Sequence, residues 1–141
     1  MRISLVQQHA TEDCEANVRR GLEAVRRAAA DGAQVIGFAE LAFEPFYPQK
    51  PATPDTLDRA EPIPGPITEA FSRLAAELGV ALVLNLFERD GDRTYDTSPV
   101  IDADGTLLGV TRMVHITDYE CFHERGYYAP SELGTPVYDT G

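Results

Sequence analysis

The sequence predicts an α/β fold in which amphipathic helices cover a sheet of buried strands. Two helical stretches, near residues 13–30 and 66–78, alternate with short apolar runs that are typical of buried strands. The predicted order of elements is β-α-β-loop-α-β-β-β. Helices that alternate with such strands pack onto the sheet as a separate layer. With 141 residues, the chain has the length of one domain with its own core.

The first three elements follow from the spacing of apolar residues. The run Ile3–Val6 predicts a strand, and Gln34–Ala39 predicts a second one. Between them lies an apolar stripe with helical spacing, at Val18, Leu22, Val25 and Ala29. Gly32 supplies the left-handed position that ends this helix, and Glu40 directly follows the second strand.

Residues 41–66 are predicted to form a long, stiff loop. Seven of the ten prolines lie here, and proline fixes φ and removes a backbone donor. A loop of this length in a compact domain is usually functional or a linker. Because Phe43, Phe46 and Tyr47 provide apolar groups that can pack, we do not interpret the segment as a linker.

The next helix and strand have clear boundaries. Pro66 suits the first turn of a helix that Gly79 ends. The run Val80–Phe87 is almost continuously apolar, which is typical of a strand buried on both faces.

Two turn signals divide the following segment into strands. Turns at 90–92 and 103–105 flank predicted strands at 94–101 and 107–116. Pro99 predicts an edge position or a bulge in the first of these strands. The last predictions are a surface excursion and the start of another strand, at residues 118–133 and 136–138.

Composition excludes several classes of partner. The net charge of −11, from 23 acidic and 12 basic residues, disfavours binding to nucleic acid and to anionic lipid. No apolar run approaches the roughly 18 residues that a membrane span needs. Two cysteines are too few for a disulfide framework, so we expect a cytoplasmic protein. The glycine-rich motifs of nucleotide-binding α/β domains are not found in the sequence.

Glu40 is the first candidate for catalysis. A carboxylate at the C-terminal end of a strand, beside a stiff loop, lies where α/β sheets present their clefts. The neighbouring Phe38, Phe43 and Phe46 could raise its pKa toward neutrality. The residues alone leave a second interpretation open, a solvent-exposed glutamate at a strand end.

Four segments, taken together and in order, resemble the nitrilase superfamily, and within it the N-carbamoyl-amine and aliphatic-amide hydrolases. Segment 33–49 (AQVIGFAELAFEPFYPQ) is a strand that ends in a glutamate and runs into an aromatic loop. Segment 60–87 contains the Ile-Pro-Gly-Pro start of a helix and the strand that follows it. Segment 95–105 is similar to the hairpin of the family, and segment 109–130 is similar to its Arg-Lys-x-His-Ile region.

The resemblance implies half of an α-β-β-α nitrilase-type sandwich and a mechanism that uses Glu, Lys and Cys. Glu40 would be the general base, and Glu124 would lie near the substrate and the nucleophile. An alternative for Glu124 is a surface charge in a polar loop. The resemblance further implies substrate contacts from Tyr47, Met113 and His115. It implies no cofactor or metal, and a small amide, N-carbamoyl amine or nitrile as the substrate.

Two positions depart from the pattern of the family. Met113 stands where the family has its lysine, and a thioether cannot donate a hydrogen bond to an oxyanion. Arg112 would point to the opposite face of the strand and is not an automatic substitute. Asp96 stands where the family usually has Asn, and its charge would need a new partner.

The nucleophilic cysteine is expected on a strand beginning shortly after Gly141. We therefore expect that residues 1–141 form the part of a carbon–nitrogen hydrolase domain before the nucleophile, and that they have no activity alone. An uncovered sheet face predicts a homo-oligomer or a complex with a complementary chain. The alternative function is a non-catalytic binding or assembly module. The spacing of Cys121 and His123, with His115 six residues before Cys121, matches no common zinc site. We therefore do not interpret Cys121, His123 and Glu124 as one catalytic or metal-binding cluster.

Overall fold

The computed structural model describes all 141 residues and contains one six-stranded sheet. Three α-helices and two short 3-10 turns, at Tyr47–Gln49 and Glu124–Gly126, connect its strands. The helices are α1 (Cys14–Ala30), α2 (Pro54–Leu57) and α3 (Pro66–Leu78). The strands are β1 (Ile3–Val6), β2 (Val35–Phe38), β3 (Ala81–Val83), β4 (Leu86–Asp90), β5 (Arg93–Ile101) and β6 (Leu107–Arg112).

The sheet is parallel at one end and antiparallel at the other. Strands β1, β2 and β3 are parallel neighbours, whereas β5 runs antiparallel to β3, β4 and β6. Because β5 has nine residues, it pairs with both β3 and β4 along one side and with β6 along the other. The long β5 therefore joins the two parts of the sheet.

Helices α1 and α3 cover one face of the sheet, as predicted. The register aligns Ile36 with Leu82 and Leu82 with Ile101, so these buried side chains share one face. They pack against Val25 of α1 and Phe71 of α3 in the main hydrophobic core. The predicted α/β fold is confirmed.

The opposite face has no helix over it. There the register aligns Leu5, Gly37, Val83 and Val100 across four strands. Ile3 and Leu5 belong to this face, and their exposed fractions are 61% and 84%. The side chains of Asp96 and Ser98 in β5 share the parity of Val100, so they point to the same open face.

The prediction of one continuous strand over Val80–Phe87 is wrong. The run is interrupted at Leu84 and Asn85, between β3 and β4. The backbone N–H of Leu84 donates to the carbonyl of Pro99 at 3.1 Å, but Pro99 has no N–H to return. The ladder therefore breaks opposite Pro99. The predicted bulge is also found beside this proline, as a shift between Val100 and Ile101 in the β5–β6 pairing.

The C-terminal third differs from the prediction at two places. The strand predicted to reach residue 116 ends at Arg112, because Ala129 donates its N–H to Thr94 of β5 and Ser131 donates to Met113. The returning chain, residues 124–131, thus occupies the place beside β5 where β6 would otherwise continue. No strand forms at 136–138. Instead, the Tyr138 hydroxyl donates to the Val110 carbonyl at 2.9 Å.

The stiff loop also contains more structure than predicted, since α2 and the Tyr47–Gln49 turn both lie within it. None of the helices is long and apolar enough to span a membrane.

Candidate active site

Glu40 lies in the turn that follows β2. The next residue, Leu41, has a positive φ of 48°, which is unusual for a residue with a side chain. Its N–H donates to the side-chain oxygen of Asn85 at 2.7 Å, and its side chain is buried. These two interactions hold the turn, so the exposed Glu40 is set on a fixed backbone.

Three phenylalanine rings anchor the chain on both sides of this turn. Phe38 precedes Glu40 and Phe43 follows it, with ring centroids 5.2 Å apart, and both rings contact Phe71 of α3. Gly21 of α1 lies directly against this cluster, where a Cβ would be 2.7 Å from the Phe43 ring. The tight packing limits movement of the turn.

Glu40 and Met113 line one open concavity of about 360 Å³. The concavity lies where the end of β2, the break between β3 and β4, and the end of β6 meet. It is also lined by Phe38, Asn85, Asp96, Ser98, Thr111 and Arg112. The structure thus brings two of the predicted site residues together, and their roles in catalysis stay predictions.

Asp96 is buried in this concavity with half of its carboxylate unsatisfied. One oxygen, Oδ1, accepts a hydrogen bond from the Asn85 amide at 2.7 Å. The other, Oδ2, has no hydrogen-bond partner, and the carboxyl of Glu40 is its close neighbour. Burial raises the pKa of Asp96 to about 7, and the Asn85 hydrogen bond opposes the rise. The charge of Glu40, a proton that Asp96 can share with the Glu40 carboxyl, and the charge of Glu124 add to it.

Glu124 is not a surface charge. It is 6% exposed, and its Oε2 accepts hydrogen bonds from the N–H and hydroxyl of Thr117, at 2.9 and 2.7 Å. The alternative interpretation as a solvated loop residue is therefore wrong. The charge of Glu124 acts on Asp96 and on Tyr128, but Glu124 itself does not line the concavity of Glu40 and Met113.

Tyr47 belongs to an aromatic cluster at the border of the site. Its ring contacts Phe87 and Tyr127 at centroid distances of 5.1 and 5.0 Å. Its hydroxyl is hydrogen-bonded to that of Tyr128 at 3.0 Å, and burial raises the pKa of both phenols. His115, in contrast, is exposed beyond the end of β6 and does not line the concavity. Substrate contact by either residue stays a prediction.

Arg112 is bound to acidic residues of its own. Its guanidinium donates to both oxygens of Glu88, at 2.7 and 2.6 Å, and to Asp90 at 2.9 Å. It also stacks over the Tyr95 ring at 3.9 Å. The hydrogen bonds to Glu88 raise the pKa of Arg112. The guanidinium is therefore not free to take the place of the lysine.

Sequence reasoning missed two residues of the site, Asn85 and Tyr128. Asn85 connects the Glu40 turn to Asp96. The available signal was one amide in an otherwise apolar run, VALVLNLF. Tyr128 had no such signal, because its position depends on how the returning chain packs.

Neither cysteine lines the concavity of Glu40. Cys14 begins α1 and borders a small cavity of about 70 Å³ that also contacts Glu44 and Arg59. Burial raises the pKa of the Cys14 thiol. Cys121 is exposed, on a turn where Tyr119 and Phe122 stack.

The chain is similar over nearly its whole length to known hydrolases. The family model described as carbon-nitrogen hydrolase matches residues 2–141. N-carbamoylputrescine amidase of Solanum lycopersicum is 35% identical over 139 residues, covering 98% of this chain and 46% of that protein. The citrullinase of Francisella tularensis subsp. tularensis (strain SCHU S4 / Schu 4) is 30% identical over 141 residues, covering 99% of this chain and 49% of that protein.

A solved structure agrees with the fold. A mutant of the amidase from Nesterenkonia sp. AN1, which shows the Michael addition of acrylamide at its active-site cysteine, superposes with a TM-score of 0.77. It is 25% identical, and the match covers 100% of this chain and 54% of that one. The chain spans about half the length of the curated relatives it matches. On this evidence the chain belongs to the carbon–nitrogen hydrolase family.

Proposed function

We propose that the protein hydrolyses carbon–nitrogen bonds of small non-peptide substrates, with Glu40 as the general base. The convergence of Glu40 and Met113 on one concavity carries this proposal. These are the two positions where the resemblance implies the base and the oxyanion-stabilising residue. A rigid turn at the C-terminal end of a strand is a suitable place for a group that must reach a reacting atom.

The proposed reaction is a covalent one. Glu40 accepts the proton of a cysteine thiol, and the thiolate attacks the carbon of the amide, N-carbamoyl or nitrile group. For an amide or N-carbamoyl group, the C–N bond breaks, ammonia or an amine leaves with the proton returned by Glu40, and water then hydrolyses the thioester or thiocarbamate. For a nitrile, the proton returns to the nitrogen to give a thioimidate, which water hydrolyses with release of ammonia. Glu124 assists at the substrate, and Tyr47 and His115 are the proposed contacts around it. These steps need no cofactor.

We propose that the cysteine comes from outside these 141 residues. Cys14 lies with Glu44 and Arg59, and Cys121 lies on an exposed turn, so neither thiol is placed for proton transfer to Glu40. Residues 1–141 alone should then release no ammonia from N-carbamoyl amines or aliphatic amides. Hydrolysis that is lost in Cys121→Ser would contradict this expectation.

Ureido compounds are the preferred substrate class. The names of two relatives refer to N-carbamoylputrescine and citrulline, and both of these molecules end in a carbamoyl group on nitrogen. Aliphatic amides come second, because the structural relative is an amidase. Nitriles come third.

The test is ammonia release by the protein in the form in which its cell makes it. With N-carbamoylputrescine, Glu40→Gln should lower turnover by about 10²- to 10⁴-fold, as expected for loss of a general base. Glu69→Gln, an exposed acid in the first turn of α3, is the matched control and should leave turnover unchanged. Unchanged turnover in Glu40→Gln would remove Glu40 from the mechanism.

A second candidate function is a binding or assembly module without catalysis. Met113 favours it, because a thioether cannot stabilise an oxyanion by donating a hydrogen bond. The same assay distinguishes the two candidates. No ammonia from any of the three substrate classes would support the module, and turnover would exclude it.

We also propose that a second copy or a complementary chain covers the open sheet face. Ile3 and Leu5 expose 61% and 84% of their surface there, and apolar patches of this kind usually mark an interface. Light scattering should detect an assembly, and a stable monomer would contradict it. The unpaired cysteines agree with a cytoplasmic location, which cell fractionation tests.

A further inference from the structure

Negative charge exceeds positive charge at the concavity, whose lining includes the carboxyls of Glu40 and Asp96 and a single cation, Arg112. Glu40 and Met113 line it together with Asp96, and the charge of Glu124 reaches Asp96 as well. Arg112 is held by Glu88 and Asp90. An excess of carboxylates over cations at a concave surface favours a positively charged ligand.

The Asp96 side chain shows where such a ligand would be held. It is 4% exposed and lines the concavity, while its Oδ2 has no hydrogen-bond partner. Buried carboxylate oxygens are almost always satisfied in native proteins, so an unpartnered one indicates an absent donor. The Asn85 amide, itself fixed by the N–H of Leu41, binds Oδ1 and sets the direction of Oδ2.

We propose that this concavity binds a primary alkylammonium group, which donates hydrogen bonds to the carboxylates of Asp96 and Glu40. An ammonium group carries three donors and one positive charge, which matches the unpartnered Oδ2 of Asp96 and the neighbouring carboxylate of Glu40. No group of three or more His, Cys, Asp or Glu side chains in the structure could hold a metal ion. Met113 and Phe38, which both line the concavity, provide its apolar part for the alkyl chain. The proposal goes beyond hydrolysis and does not depend on it.

Binding should depend on pH through Asp96. Four titratable groups interact electrostatically with its carboxyl: Glu40 after β2, Glu124 and Tyr128 of the returning chain, and Tyr47 of the loop. Arg112 of β6 is bound to Glu88. The pKa of Asp96 is raised to about 7, so the ionised fraction falls about tenfold from about pH 8 to about pH 6. Affinity for an alkylammonium ion should fall by about the same factor.

The experiment is an NMR titration of the protein, in the form in which its cell makes it, with ethylammonium chloride. The reporters are the side-chain amide of Asn85 and the backbone N–H of Leu41, because both lie in the hydrogen-bond chain that ends at Asp96. We expect saturable shifts of both signals, with affinity about tenfold weaker at about pH 6 than at about pH 8. Sodium chloride at equal ionic strength should not reproduce them. Equal shifts with sodium chloride, or equal affinity at both pH values, would overturn the proposal.

Two variants test the location. Asp96→Asn should abolish saturation, whereas the exposed control Glu69→Gln should keep it. Met113→Lys places an ammonium group, attached to the chain, in the same concavity. In this variant the Asn85 signal should already be shifted without ligand, and it should not respond to ethylammonium. Retained binding in either Asp96→Asn or Met113→Lys would place the ligand elsewhere and refute the site.

Discussion

Replacing Asp96 by Asn should stabilise the protein at neutral and alkaline pH. The wild-type carboxylate is 4% exposed, lies beside Glu40 and leaves Oδ2 without a donor. The introduced amide keeps an oxygen for the Asn85 hydrogen bond and places an N–H₂ where Oδ2 stands. It can then donate to Glu40, and the buried charge is gone.

The magnitude follows from the pKa. A rise from 3.8 to about 7 corresponds to about 4 kcal/mol of penalty on the charged form, at about 1.36 kcal/mol for each pKa unit. Relaxation around the ionised carboxylate lowers this, so we expect Asp96→Asn to gain about 2 to 4 kcal/mol at about pH 8.

The dependence on pH has a definite sign. Asp96 has a higher pKa in the folded chain than in the unfolded one, so the folded state holds the proton longer as pH rises. The wild-type protein therefore loses stability between about pH 4 and about pH 7, and the loss is complete above that range. The advantage of Asp96→Asn should grow through the same window and then stay constant.

Denaturation with urea at a series of pH values measures this difference. The control is Asp92→Asn, which removes an exposed charge from the turn between β4 and β5 and should shift stability by less than about 0.5 kcal/mol. A stability gain that does not vary with pH, or a variant less stable than wild type at about pH 8, would refute the reasoning.

Two further predictions concern the packing around the site. Arg112→Leu leaves Glu88 buried without its partner and should lower the free energy of unfolding by about 3–5 kcal/mol, whereas replacing both by Leu should cost less. An equal loss in the double variant, measured by urea denaturation, would contradict this. Gly21→Ala forces a methyl group against the Phe43 ring and should cost about 1–3 kcal/mol. An unchanged or higher Tm would show that the phenylalanine cluster can accommodate the added methyl group.

The two long helices, α1 and α3, could be predicted almost to the residue because their signals are local. The stretch predicted near 13–30 is α1 at Cys14–Ala30, and the stretch 66–78 is α3. Each depends on an apolar stripe and on residues at its ends, such as Gly79 with its positive φ of 65°. The structure that such residues adopt is determined by their neighbours along the chain.

The break between β3 and β4 could not be predicted in this way. Its cause is Pro99, which lies fourteen or more residues further along the chain and opposite the break only once β5 has paired. Likewise, the resemblance pointed to Glu40 and Met113, but the unsatisfied oxygen of Asp96 depends on the pairing of three segments. Side-chain partners across a sheet follow from register, which the apolar pattern does not specify.

The amide of Asn85 gives the site a dependence on folding order. It joins Leu41, 44 residues earlier, to Asp96, 11 residues later. The Asn85–Asp96 bond can form within the β4–β5 hairpin, but the Leu41–Asn85 bond cannot form before β3, with that hairpin, has paired beside β2. The backbone at Glu40 therefore acquires its final shape only with this long-range contact. Opening of that hairpin would remove the Asn85 hydrogen bond from the Glu40 turn. Hydrogen exchange at the Leu41 N–H would therefore follow the opening of β5, and the candidate base is present in its working geometry only in molecules whose sheet is closed.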